Sequence, residues 1–128
     1  MNILLDTHTF IWYIEGNAKL TNKARSTIEL SEDKVYLSIV SLWEMAIKTG
    51  KKQLDLQNPF DDLLEVLNLL KIEILPMTFA DIQVYKNLPL YHSDPFDRML
   101  ISQSINNDLT IIGCDQFFNN YPVRILWK

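Results

Sequence analysis

Residues 94–115 read Asp94-Pro95-Phe96-Asp97-Arg98-Met99-Leu100-Ile101-Ser102-Gln103-Ser104-Ile105-Asn106-Asn107-Asp108-Leu109-Thr110-Ile111-Ile112-Gly113-Cys114-Asp115, and this stretch decides the fold. Asp94 before Pro95 starts a helix: the carboxylate accepts from free backbone N–H groups, and proline at the first helical position gives up only a donor without a partner there. Asp97 falls in the first turn, where the helix dipole favours negative charge and a carboxylate can reach back to the cap. The pattern predicts a helix from Pro95 to about Asn106, buried along Met99-Leu100-Ile101. Leu109–Gly113 then reads as a short strand without polar alternation, as expected when both faces of a parallel strand are covered. A helix running into such a strand is half of a parallel α/β repeat.

Outward from this unit the same alternation recurs. Asn2–Leu5 is an apolar strand ending in Asp6, followed by a helix over Thr7–Glu15 that stops at Gly16-Asn17. A more polar helix covers Thr21–Leu30 with Thr21 as its cap, and Val35–Ser38 is a second strand. Ile39–Thr49 is helical, with Ile39, Trp43, Ala46 and Ile47 on one face. Lys51–Asn58 is a polar connector, and Pro59 opens a helix with a stripe of Phe60, Leu63, Leu64, Leu67 and Leu70. Ile72–Leu75 is a third strand, Thr78 with Asp81 starts a helix through Tyr85, Leu88–Ser93 is a loop, and Val123–Leu126 is an edge strand. The expected architecture is a three-layer α/β/α sandwich around a parallel sheet of four to five strands, in one domain over residues 1–128.

Composition narrows the function classes. A chain of 128 residues can bury roughly 65–70% of its unfolded surface in one core. The lone Cys114 excludes an internal disulfide and suits a reducing compartment. The start, Met-Asn-Ile-Leu-Leu-Asp, has no basic lead and too short an apolar run for a signal peptide, and no run nears the ~20 residues that span a bilayer. A cytoplasmic protein is expected. A net charge of −4 is not the basic footprint of a general nucleic-acid binder, yet acids that hold cations reverse the local field.

The acids have a direction. In open parallel sheets the ligand site lies beyond the carboxyl ends of the strands. Asp6 follows the first strand and Asp115 follows the fourth. Glu44 sits in the helix leaving the second strand, and Asp97 opens the helix that enters the fourth. All four can converge on one edge. Singly, Asp6 and Asp115 also read as caps, Glu44 as a solvated helix residue and Asp94 as a cap. Gathered together they repel unless a cation sits among them. Hard oxygen donors suit Mg²⁺, with Mn²⁺ as a substitute. Cys114 has no cysteine partner, and His8 and His92 lack zinc-ligand spacing, so both histidines read as structural or peripheral. A carboxylate-held cation points to phosphoryl chemistry, with one ion or two left open.

Four segments in order, Leu4–Trp12, Ser41–Lys48, Asp94–Ile101 and Ile111–Phe118, resemble the four motifs of PIN domains, in particular the VapC-type toxin ribonucleases of type II toxin–antitoxin systems. The resemblance spans essentially the whole chain. It implies a Mg²⁺-dependent endoribonuclease, usually a homodimer, inhibited by a small antitoxin protein. Asp6, Glu44, Asp97 and Asp115 match the family's acidic quartet. Asp6 and Asp97 would be the principal metal ligands, with Asp115 completing the site, and Glu44 would hold a second ion or orient the attacking water. Thr7, Ser38 and Asp94 are candidates to orient those ligands. One departure stands out: Gly113 occupies the place where the family commonly carries Thr or Ser, which leaves the role of Asp115 open.

Trp12, Tyr13 and Trp43 read as core residues or as the wall of a groove for an antitoxin helix. Lys48, Lys51 and Lys52 form the one local basic cluster and suit either a solvated loop or RNA phosphates. Two other classes are compatible with the residues. A phosphatase with an Asp6 nucleophile would want an acid where His8 stands; a non-catalytic PIN-like RNA- or protein-binding module has no reason to keep four mutually repelling carboxylates.

Overall fold

Residues 1–127 are described in a computed structural model of the chain. Their order is β1 (Ile3–Leu5), α1 (Thr7–Glu15), α2 (Asn22–Glu29), β2 (Val35–Ser38), α3 (Ile39–Gly50), α4 (Leu63–Leu69), β3 (Ile72–Leu75), α5 (Phe79–Asn87), α6 (Pro95–Asn107), β4 (Thr110–Ile112) and β5 (Arg124–Leu126). The strands form one parallel sheet in the order β3-β2-β1-β4-β5. Its order reverses between β1 and β4, where Ile3 pairs with Thr110 and Leu5 with Ile112. This reversal opens a crevice beyond the carboxyl ends of these two strands.

The alternating side chains of β1 divide the core in two. Ile3 and Leu5 face a cluster with Phe10, Ala24, Ile28, Met45, Leu63 and Leu67, which covers one side of the sheet with α1, α2 and α4. Leu4 faces the other side, against Leu100 and Ile101 of α6 and Phe118 and Tyr121 beyond β4. Among the described residues no helix is long and apolar enough to cross a membrane.

Helix starts follow the predicted chemistry. Asp6, Thr21, Ser38, Thr78 and Asp94 each accept a backbone N–H at the start of α1, α2, α3, α5 and α6. Gly16 ends α1 in the left-handed conformation, φ 63°. The chain departs from expectation after Pro59, where a 3-10 turn over Phe60–Asp62 delays the α-helix to Leu63, and at Gln116–Asn120, a 3-10 turn with no advance signal.

Two helices turn a different face inward from the one their apolar spacing marks. On α3, Ile39 and Trp43 are exposed while Val40, Ser41, Glu44 and Met45 are buried. On α5, Phe79 and Ile82 are exposed and Asp81 is fully buried. Asp81 is satisfied there by the Thr78 N–H (3.0 Å), Gln103 Nε2 (3.3 Å), Asn106 Nδ2 (2.8 Å) and Asn107 Nδ2 (3.3 Å), which ties α5 to the far end of α6.

Candidate metal centre

Three side chains meet at the crevice. His92, Asp97 and Asp115 each offer a ligand atom, all within 4.8 Å of one another. His92 Nε2 is 3.0 Å from Asp97 Oδ2 and 2.9 Å from Asp115 Oδ2. Two elements set this geometry. Asp94 caps α6 by accepting from the Phe96 and Asp97 N–H groups, which aims the first turn of the helix, and Asp97 with it, at the crevice. Asp115 in turn caps the 3-10 turn after β4 through the Phe117 N–H (2.9 Å). Capping and convergence are one arrangement here.

His92 is the residue that spacing missed: it does not sit at the periphery but bridges both acids. Its backbone is held remotely, because the Tyr121 hydroxyl accepts from the Tyr91 and His92 N–H groups (3.0 and 2.9 Å) and donates to the Pro89 carbonyl (2.7 Å). Buried Arg98 reinforces that loop by donating to the carbonyls of Pro89 and His92. The Asp94 N–H donates to His92 Nδ1 (3.2 Å), so the ring hydrogen sits on Nε2 and faces the two carboxylates. No local pattern marks it, because its placement depends on Tyr121, far along the chain.

Asp6 is buried beside this group. Its Oδ1 accepts from the Thr9 N–H (2.7 Å), and burial raises its pKa despite that bond, with the charge of Asp115 adding to the rise. Gly113 makes its position possible. A Cβ on Gly113 would stand 2.5 Å from Asp6 Oδ2 and 3.0 Å from Phe118, so a Thr or Ser there would displace the carboxylate. The missing hydroxyl is thus matched to this placement of Asp6.

Glu44 is outside the group of His92, Asp97 and Asp115 and is buried, not solvated. Thr7 donates to its Oε1 (2.8 Å) and Lys48 Nζ lies 2.5 Å from its Oε2. Thr7 thus holds the Glu44 carboxylate, and Asp94 holds the His92 ring and the start of α6. Ser38 does not join them. Its hydroxyl caps α3 and donates to Gln103 Oε1 (2.6 Å), because β2 ends facing the middle of α6 instead of its start. Of the aromatics, Trp12 and Tyr13 pack partly buried against the core, while exposed Trp43 meets Phe96 edge-on at 5.3 Å. His8 is exposed and packs on Trp12.

The charges are unevenly shared. Burial, then the charges of Asp94 and Asp6, push the Asp97 carboxyl up to about 7. Asp115 is also raised by burial, but the Phe117 N–H and the His92 ring outweigh this and leave it below the ordinary carboxylate range. One acid of the pair thus retains a proton that a cation would release. The carboxylate oxygens of Asp97 and Asp115, in a group whose ligand atoms all lie within 4.8 Å of one another, fit the hard members of the divalent series.

A family model for the PIN domain matches residues 3–123. A search of curated protein sequences gives no significant match. Among solved structures, the chain is similar to one in VapBC2 from Rickettsia felis bound to a DNA fragment from their promoter, with a TM-score of 0.76 and 16% identity over 100% of both chains. It is also similar to a chain in DNA-bound VapBC from Salmonella typhimurium (TM-score 0.68, 20% identity, 98% of this chain and 97% of that one). A third likeness is to FitAcB from Neisseria gonorrhoeae (TM-score 0.65, 21% identity, 97% and 96%). At these identities the structures speak for the fold alone, while the family model covers nearly the whole sequence: the chain belongs to the PIN-domain family.

Proposed function

We propose that this chain is a divalent-metal-dependent endoribonuclease acting as the toxin of a toxin–antitoxin pair. The observation that carries the reading is the meeting of Asp97 and Asp115 with His92 at the sheet's reversal point, with buried Asp6 near enough for its charge to raise the Asp97 carboxyl. Asp6, Asp97 and Asp115 would hold a Mg²⁺ or Mn²⁺ ion, which when bound polarises a phosphodiester and lowers the pKa of an attacking water. His92 would fix Asp97 Oδ2 and Asp115 Oδ2 through its Nε2 hydrogen, so that Asp97 Oδ1 faces the ion, while Asp115 Oδ1 also accepts from the Phe117 N–H. Glu44, oriented by Thr7, sits behind them as a further acid.

Membership of the PIN-domain family and the fold likeness to VapBC chains support the toxin role and an antitoxin partner. A groove of about 330 Å³ between α1, α2 and α4, lined by Tyr13, Ile14, Val66 and Leu69 together with Arg25 and Glu29, supports a seat for an amphipathic helix of that partner. The apolar residues that α3 and α5 leave exposed, Ile39, Trp43, Phe79 and Ile82, support a homodimer.

The test is cleavage of total bacterial RNA by the purified chain with Mg²⁺ or Mn²⁺ and with a chelator. Cleavage should need the metal, and Asp97→Asn should lower its rate by about 100-fold or more while the chain stays folded. A native chain that binds Mn²⁺ yet cuts no RNA would instead favour a non-catalytic binding module.

A further inference from the structure

We propose that Lys48 stands in the place of a second metal ion, so that the acidic cluster takes one divalent cation and the Lys48 ammonium meets the phosphate of the RNA beside it. The inference rests on the metal-dependent reading above and assigns its ion count. Both oxygens of Glu44 are already engaged, Oε1 by the Thr7 hydroxyl at 2.8 Å and Oε2 by Lys48 Nζ at 2.5 Å. The pair is built into α3 four residues apart, with Glu44 only 4% exposed, so it is no loose surface contact. Asp115 also has both oxygens in hydrogen bonds, but to a backbone N–H and the His92 ring; Glu44 is the one of the four acids whose charge is offset by a lysine ammonium, which leaves it less to offer a cation. Ligand atoms of His92, Asp97 and Asp115 lie within 4.8 Å of one another, and the charge of Asp6 acts on Asp97, whereas Glu44 is not among the charges that act on it.

Lys48 also has somewhere to reach. Its side chain is one-third exposed and borders a small cavity of about 150 Å³ together with Thr7, His8, Glu44 and Gln53. Burial disfavours its charged form, but the bond to Glu44 and the fields of Glu44, Asp94 and Asp97 more than offset this. The ammonium therefore remains charged between Glu44 and the inner acids. It has three donors and Glu44 takes one; the others are available to phosphate oxygens. A two-ion nuclease sets its cations roughly 3.5–4 Å apart to neutralise both sides of the phosphate. Here the ammonium supplies the second positive charge without being recruited from solution.

The experiment counts Mn²⁺ on the full chain by calorimetry, with free Mn²⁺ read by electron paramagnetic resonance. The native chain and Lys48→Arg should bind one ion each. Lys48→Met, which leaves Glu44 uncompensated, should bind two, and the double variant Glu44→Gln/Lys48→Met should return to one. Lys48→Met should also raise KM for RNA about tenfold, with Lys48→Arg restoring most of it. Two ions on the native chain, or a folded Lys48→Met that still binds one, overturns the proposal. If Lys48→Met does not fold, the native count decides. No Mn²⁺ binding by the native chain overturns the metal reading itself, an outcome distinct from a count of two.

Discussion

Asp97 carries the sharpest consequence at the scale of single residues. Its pKa is raised by burial and by Asp94 and Asp6, to about 7, so the folded state holds a proton that the unfolded chain releases near pH 4. Between those values the folded state binds more protons, and stability falls as pH rises through the window. Above about pH 7 the metal-free protein carries the whole penalty. Asp97→Asn removes it: calorimetry in chelator at pH 8 should show a Tm about 3–5 °C above that of the native chain, a gap that closes near pH 4. The same substitution should abolish the response to Mn²⁺. Gly113 is the second such position. Gly113→Ser places a Cβ 2.5 Å from Asp6 Oδ2, so the carboxylate must move. Mn²⁺ affinity measured by calorimetry should fall at least tenfold, with the far-UV spectrum unchanged.

At the scale of elements, α6 is the mount and the 88–93 loop is its clamp. The clamp closes on one atom, the Tyr121 hydroxyl, which accepts two backbone N–H groups and donates to a carbonyl. Tyr121→Phe leaves those buried donors without a partner and frees His92 from its place over Asp97 and Asp115. It should cost about 1–3 kcal/mol in chemical denaturation and weaken Mn²⁺ binding, although Tyr121 touches no acid of the site. Much of this level was legible in the sequence. Asp6, Thr21, Thr78 and Asp94 announced their helices because capping is a local bond between a side chain and a backbone two or three residues on. The inward faces of α3 and α5 were not legible. Spacing reports which residues are apolar, whereas Glu44 and Asp81 are drawn inside by partners far away in sequence, Thr7 for one and Gln103 and Asn106 for the other. His92 escaped for the same reason: its placement depends on a tyrosine 29 residues away. The acids Asp6, Asp97 and Asp115 were legible together because parallel topology alone sends strand ends and helix starts to one edge.

For the whole molecule, a cation that binds only the folded state adds stability as its concentration exceeds its dissociation constant, about 2.7 kcal/mol at a hundredfold excess. Thermal unfolding should therefore shift upward with Mn²⁺ at pH 8. The shift should shrink at pH 6, where the proton on Asp97 competes with the ion, by about tenfold in apparent affinity per pH unit below 7. A melting temperature indifferent to Mn²⁺ at both pH values would remove the metal from the account. The pairing of β1 with β4 has a further consequence, one that belongs to time. Ile3 and Thr110 are neighbours in the sheet but lie at opposite ends of the chain. Asp6 is synthesised well before Asp97 and Asp115, and at ~5–20 residues per second it waits several seconds or more for them. Until β4 docks there is no crevice and no cluster, so on the proposed function a nascent chain would not cut the RNA around it. The strand pair of long sequence separation, which carries a loop-closure cost in folding, would on that reading also hold back activity until β4 is made.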